Sequence, residues 1–136
     1  MKTGEYYKHK WNKYISKITG VKRNKIELVI INSGVKEEIS IENFNLNYVP
    51  CKTIHDWRGV IDEAFPNEDV CAYGDAIRVK VNNSILDFSL TYDETQLTAC
   101  YTDDIKEIIE ADTNISRFLL EDANEVIEMF AELILE

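Results

Sequence analysis

Four short segments in the second half of the chain carry the residue pattern of β-strands, and these segments constrain the fold more than any other feature of the sequence. Alternate side chains of a strand lie on opposite faces, so such segments predict a sheet that buries one face. Asn82-Asn83-Ser84 separates two of them and predicts a hairpin turn, because asparagine tolerates positive φ. The segments are residues 70–73, 76–81, 85–90 and 95–101.

The N-terminal third predicts a helix followed by two strands. Apolar side chains between residues 5 and 18 recur at steps of three and four, which is the period of an amphipathic helix. In this interpretation Tyr7, Trp11 and Tyr14 lie on the buried stripe. The predicted strands are residues 25–32 and residues 35–48, the second with a bulge near Glu42 or Asn43 where the side-chain parity changes.

Three further helices are predicted towards the C-terminus. Residues 53–65 form one of them, opened by Thr53 and Asp56 as a capping pair, and residues 102–111 form a short second one. Residues 115–135 predict the clearest helix, because their apolar residues trace one stripe and their acidic residues lie opposite it.

Strands and helices are therefore segregated along the chain, which favours the α+β class over a parallel doubly wound sheet. We expect an antiparallel sheet of about five strands with helices packed on one face and with N-terminal and C-terminal helices flanking it. A chain of 136 residues buries roughly two-thirds of its unfolded surface, so a single domain spanning residues 1–136 is predicted.

Charge is distributed unevenly along the chain. The first 25 residues carry eight Lys or Arg and one acid, whereas the remaining 111 carry seven bases and 24 acids. A strongly negative body disfavours nucleic acid and anionic membrane and favours a basic protein partner. The predicted partner-binding residues are Asp93, Glu94, Asp103, Asp104, Glu121, Asp122, Glu125, Glu128 and Glu132.

The basic N-terminal segment leaves several interpretations open. Lys8, Lys10 and Lys13 form a solvated face or dock on the acidic tail of the same chain. Alternatively they contact a partner protein. Contact with nucleic acid ranks last, because the aromatic residues between the lysines fall on the predicted buried stripe.

No residue pattern predicts a catalytic or metal site. Cys51 and His55 could form a nucleophile and base, but Asp56 follows His55 directly and points about 100° away on a helix. Metal ligands paired at two- to four-residue spacing are missing, and so are glycine-rich phosphate loops. We therefore predict a non-enzymatic protein without cofactor, with reduced, half-buried cysteines. The N-terminus lacks the apolar stretch of a secretory signal, which favours a cytoplasmic location.

These features together favour a small acidic inhibitor. Its expected partner is a basic nuclease toxin or another nucleic-acid-handling defence effector, so the protein acts as a bacterial immunity protein or a phage anti-defence protein whose carboxylates mimic nucleic acid. As an alternative, the element order and charge resemble type III secretion chaperones. That resemblance implies dimerisation and binding of an extended client segment.

Overall fold

A computed structural model describes residues 1–12 and 14–135 and divides the chain into two compact units, Met1–Lys52 and Thr53–Glu136. Each unit contains one antiparallel sheet of five strands. The predicted α+β class is confirmed, with two such sheets where one was expected. That the chain is a single domain stays a prediction. It requires the two units to unfold together.

The first unit is an antiparallel sheet with the strand order β4-β3-β2-β1-β5 and a short helix between β4 and β5. Phe44 of that helix is 2% exposed and packs on Ile18, Ile26 and Leu28, which lie on one face of the sheet. The elements are β1 Tyr6–His9, β2 Ile15–Val21, β3 Lys25–Ile30, β4 Lys36–Ser40, α1 Ile41–Asn47 and β5 Tyr48–Pro50.

The predicted N-terminal helix is wrong, because this segment forms β1, a turn and β2. Tyr7 lies opposite Ser16 in the ladder, and its ring contacts that of Phe44 edge to face at a centroid distance of 4.8 Å. Trp11 and Tyr14 instead lie at the turn, 81% and 46% exposed. The aromatic spacing fits a helix as well as a hairpin, and pairing of β1 with both β2 and β5 decides for the hairpin.

The long strand predicted for residues 35–48 is also wrong, because β4 ends at Ser40 and α1 begins. Ser40 caps the helix, its hydroxyl oxygen accepting a hydrogen bond from the Asn43 amide at 3.1 Å. The change in side-chain parity near Glu42, which predicted a bulge, therefore marks the start of a helix that brings Phe44 into the core.

The second unit is a five-stranded meander with the strand order β10-β9-β8-β7-β6. Phe130 of the last helix is fully buried, and its ring lies 5.8 Å from that of Phe88, 6.0 Å from that of Tyr101 and 6.2 Å from that of Phe118. The elements are a 3₁₀ turn Ile54–Trp57, α2 Arg58–Ala64, β6 Asp69–Tyr73, β7 Ala76–Val81, β8 Ser84–Leu90, β9 Gln96–Tyr101, α3 Asp103–Ile108, β10 Ile115–Leu119, a 3₁₀ turn Leu120–Asp122 and α4 Ala123–Leu135.

Two local predictions in this unit are confirmed. Asn82 adopts a φ of 56° in the two-residue turn that joins β7 to β8, so asparagine supplies the expected left-handed residue. The Thr53 amide donates to Asp56 Oδ2 at 3.2 Å, so the expected capping pair opens the helical segment Ile54–Ala64.

The C-terminal helix is confirmed, but it begins at Ala123 rather than at residue 115. Residues Ile115–Leu119 form β10 and pair with β9. Ile115 and Leu119 were expected on the buried stripe and are instead 49% and 53% exposed. A strand of alternating burial replaces the first helical turns because β9 offers unpaired backbone groups at the sheet edge.

Cooperative unfolding of the two units is the first prediction. Phe44→Ala opens a cavity in the first unit and should destabilise it by about 3–5 kcal/mol. If the chain is one cooperative domain, the variant also lowers the urea midpoint reported by Trp57, which is 1% exposed in the second unit. Leu46→Ala, at a site in α1 that is 66% exposed, should leave this midpoint unchanged. A Trp57 transition unaffected by Phe44→Ala contradicts the single domain.

Candidate protein-binding surface

The division into two units coincides with a division of charge. Residues 1–52 contain ten Lys or Arg and five Asp or Glu, whereas residues 53–136 contain five Lys or Arg and 20 Asp or Glu. All nine carboxylates predicted to bind a partner belong to the second unit. The structure therefore assigns the acidic character of the chain to one folded unit.

Helix α4 displays a row of glutamates on the side opposite its core contacts. Glu121 precedes the helix, and Glu125, Glu128 and Glu132 follow at steps of four, three and four residues, which place all four along one face. These four and Asp122 are exposed. We call Glu121, Glu125, Glu128 and Glu132 the glutamate row.

Neighbouring carboxylates in this row repel one another. Like charges four residues apart destabilise a helix by about 0.2–0.5 kcal/mol a pair. Among residues 1–12 and 14–135, no lysine or arginine forms an ion pair with any of the nine predicted carboxylates. Their negative charge is thus available to an external cation.

Asp93 and Glu94 lie in the turn between β8 and β9, where Asp93 orders the backbone. Its Oδ1 accepts hydrogen bonds from the Thr91 hydroxyl at 2.7 Å, from the Thr95 hydroxyl at 2.8 Å and from the Thr95 amide at 3.2 Å. Hydrogen bonds from Thr91 and Thr95 hold the pKa of the Asp93 carboxyl below its ordinary value. Glu94 adopts a positive φ of 61° in the same turn.

Strand pairing brings this turn to the same end of the sheet as the beginning of the glutamate row. The Leu120 amide donates to the Thr95 carbonyl at 3.1 Å, so the chain enters Glu121 and Asp122 beside the β8–β9 turn. We call this end of the second sheet the Tyr92 end. Seven predicted residues meet there or continue from it along α4: Asp93, Glu94, Glu121, Asp122, Glu125, Glu128 and Glu132.

Asp103 and Asp104 lie at the opposite end of the sheet, where they organise the start of α3. Asp104 accepts hydrogen bonds from the Ser84 hydroxyl and from the Thr102 hydroxyl, and these keep the pKa of its carboxyl below the ordinary value. Asp103 accepts one from the Asn114 side chain at 2.9 Å. The structure therefore separates these two residues from the Tyr92 end and assigns them a local structural contact.

Sequence reasoning overlooked an aromatic residue at the centre of the Tyr92 end. Tyr92 is fully exposed between Thr91 and Asp93, and Tyr73, 58% exposed, occupies the same end next to the Gly74-Asp75 turn. The available sequence signal was a tyrosine directly before an acidic pair in a predicted turn.

His55, one of the residues considered for catalysis, contacts the turn that follows Tyr73 at the Tyr92 end. His55 Nε2 lies 2.9 Å from the Gly74 carbonyl oxygen. All three cysteines are free and half-buried, as predicted. Burial, followed by the charge of Asp87, raises the pKa of the Cys100 thiol, which favours its unreactive neutral form. Within the described ranges no three His, Cys, Asp or Glu side chains are arranged to hold a metal ion.

The face of the second sheet that lies opposite its buried core carries the ion pair Arg78–Asp87. The two side chains form two parallel hydrogen bonds at 2.9 and 3.0 Å, and the Arg78 guanidinium stacks on the Tyr73 ring at 3.6 Å. Contact with Asp87 raises the pKa of Arg78. Asp87 is thus an acid with an internal partner, in contrast to the glutamate row.

No described helix is long and apolar enough to cross a bilayer.

The hydrogen bonds of Asp93 predict its titration. Thr95→Val removes one donor, so we expect the pKa of Asp93 to rise towards its ordinary value. A carboxyl whose pKa is lowered on folding stabilises the folded state above its unfolded pKa, and this stability is lost as the pH falls through the folded pKa. Carbon-detected NMR titration measures the change. Asp104 is the internal control, and an Asp93 pKa that does not move contradicts the assignment.

Comparison with known proteins adds no family to this description. No protein-family model, no curated protein and no solved structure matches the chain. A function for the acidic surface is therefore inferred from its residues and geometry.

Proposed function

We propose that this protein is a small non-enzymatic inhibitor that binds a basic protein through the Tyr92 end and the glutamate row. The partner belongs to the class of nuclease toxins or other nucleic-acid-handling effectors, because such proteins carry cationic surfaces for phosphate. The protein acts in the cytoplasm as an immunity or anti-defence protein.

The observation that carries the proposal is a row of exposed carboxylates along one helix face, none of them paired with an internal cation among the described residues. Asp62 and Asp87 pair with Arg58 and Arg78, whereas the described structure gives none of the nine predicted carboxylates an ion-pair partner. A row of carboxylates on one rigid helix resembles the regular charge of a phosphate backbone. A basic active site that binds phosphates therefore finds a complementary surface here.

Charge and the exposed tyrosine have different roles in this interaction. The net negative field of the second unit accelerates encounter with a cationic protein, and salt screens this effect over about 10 Å at 0.1 M. Tyr92 supplies a rigid aromatic anchor that becomes desolvated in the complex, and tyrosine is enriched at such interface positions. Charge therefore sets mainly the association rate, and Tyr92 mainly the dissociation rate.

A second candidate function follows from the edge strand β10. The Asn114 carbonyl accepts a hydrogen bond from the Tyr101 amide, and the Leu120 amide donates to the Thr95 carbonyl just before β9. Alternation therefore directs the backbone groups of Arg117 and Leu119 away from the sheet. Exposed Ile115 and Leu119 flank this edge. An extended client segment could add a strand here, as expected of a secretion-chaperone-like protein.

Removal of charge from the glutamate row tests the inhibitor. E121Q/E125Q/E128Q/E132Q should slow association with a basic partner captured by the wild-type protein and flatten the salt dependence of that rate. Stopped-flow kinetics at several salt concentrations measures both. The matched control E37Q/E42Q/E107Q/E110Q removes the same charge at other exposed glutamates. Equal slowing by both variants, or by neither, contradicts the proposed surface.

Oligomeric state tests the second candidate. A secretion-chaperone-like protein is expected to form a dimer at micromolar concentration, and light scattering coupled to size-exclusion chromatography measures its mass. A strictly monomeric protein contradicts the chaperone and leaves the inhibitor unaffected.

A further inference from the structure

The turn between β1 and β2 exposes aromatic residues that sequence analysis expected in the core. Trp11 is 81% exposed and Tyr14 is 46% exposed. For this segment, nucleic-acid contact ranked last because these rings were assigned to the buried stripe of a helix. The hairpin removes that reason. We call Lys10, Trp11, Asn12 and Tyr14 the Trp11 turn.

Side-chain hydrogen bonds hold the Trp11 turn in a defined shape. The Trp11 amide donates to His9 Nδ1 at 3.1 Å, and the Tyr14 amide donates to Asn12 Oδ1 at 3.0 Å. The Lys10 amide donates to the Asn47 carbonyl at 2.7 Å. Trp11 is therefore presented on an ordered backbone, which reduces the entropy lost when a ligand binds.

Neighbouring residues anchor the turn to the first unit. The His9 ring packs edge to face on the Tyr48 ring at a centroid distance of 5.0 Å, and Tyr48 stacks on Phe44 of the core. His9 thus connects the backbone of Trp11 to buried side chains. These ring contacts keep the turn in one conformation although its tryptophan is exposed.

The first unit, which contains the turn, carries a net positive charge. Residues 1–52 carry a net charge of five positive units, counted from ten bases and five acids. Part of the basic charge is compensated at the other edge of the sheet, where Lys22 and Lys25 pair with Glu38. Lys10 is exposed and has no ion-pair partner among the described residues. Lys13, which sequence analysis grouped with it, lies outside those residues.

From this geometry we propose that the Trp11 turn binds single-stranded nucleic acid. Trp11 and Tyr14 stack on unpaired bases, and Lys10 contacts a phosphate. Stacking on aromatic rings together with basic side chains is the general mode of sequence-tolerant single-strand binding. Duplex binds less well because its bases are not accessible for stacking. The proposal is independent of the inhibitor, which uses the second unit.

Fluorescence anisotropy of labelled oligo-dT and oligo-U of about 12 nucleotides tests the proposal. Wild-type protein should bind at about 50 mM salt and lose affinity at about 200 mM. Trp11→Ala should weaken binding about tenfold or more. Lys10→Glu should weaken it and reduce the salt slope by about 0.7. Lys36→Glu, an equal charge change on β4, should have a much smaller effect.

Intrinsic fluorescence provides a second readout specific to the turn. Trp57 is 1% exposed, so stacking should quench only the emission of Trp11. Quenching should disappear in Trp11→Ala, and an unchanged far-ultraviolet circular dichroism spectrum verifies that both units of this variant are folded. The glutamate-row variant should still bind the oligonucleotides, so failure of the inhibitor and failure of this proposal are distinguishable.

Three results overturn the proposal. The first is no binding of either oligonucleotide at low salt. The second is binding that Trp11→Ala leaves unchanged, or that Lys10→Glu and Lys36→Glu weaken equally, because the contact is then nonspecific charge attraction. The third is capture of a protein that depends on Trp11 without oligonucleotide binding, which makes the turn a protein contact.

Discussion

Burial of one face of the second sheet against Phe130 is the interaction on which the acidic surface depends. The Phe130 ring contacts aromatic rings from β8, β9 and β10, so one side chain ties three strands to α4. Removal of this apolar surface from water fixes the rotation of the helix. Glutamates on the opposite side must then face outward together. The glutamate row is thus a direct consequence of core packing.

Segregation of charge between the units has an energetic consequence. In the first unit Lys22 lies close to both Glu27 and Glu38, so basic and acidic side chains compensate one another locally. In the second unit the carboxylates of α4 repel along one face, which weakens the helix slightly and leaves a field that extends into solvent. A buried aromatic core keeps α4 in place despite this repulsion. The same field that opposes folding attracts a cationic partner.

Local signals predicted correctly those elements whose determinants are close in sequence. Asn82 fixes the β7–β8 turn through its own backbone conformation, and Thr53 with Asp56 opens the following helical segment through contacts three residues apart. The predictions were wrong where pairing with a neighbouring strand, rather than local sequence, determines the structure. The segments around Ile115 and Trp11 fit a helical period, and only strand pairing shows that Ile115 begins β10 and that Trp11 lies in the turn after β1. The exposure of Trp11, and therefore the proposed nucleic-acid contact, could not be predicted.

The sequence by itself determined the α+β class, the β7–β8 hairpin, the amphipathic C-terminal helix and the contrast between a basic N-terminal segment and an acidic remainder. Each depends on side-chain type and spacing within a few residues. The tertiary structure alone decided that the chain forms two five-stranded sheets and that Asp93 lies beside the start of the glutamate row, while Asp104 lies at the far end. Both features depend on hydrogen bonds between strands that are distant in sequence, and no local pattern specifies which strands will pair.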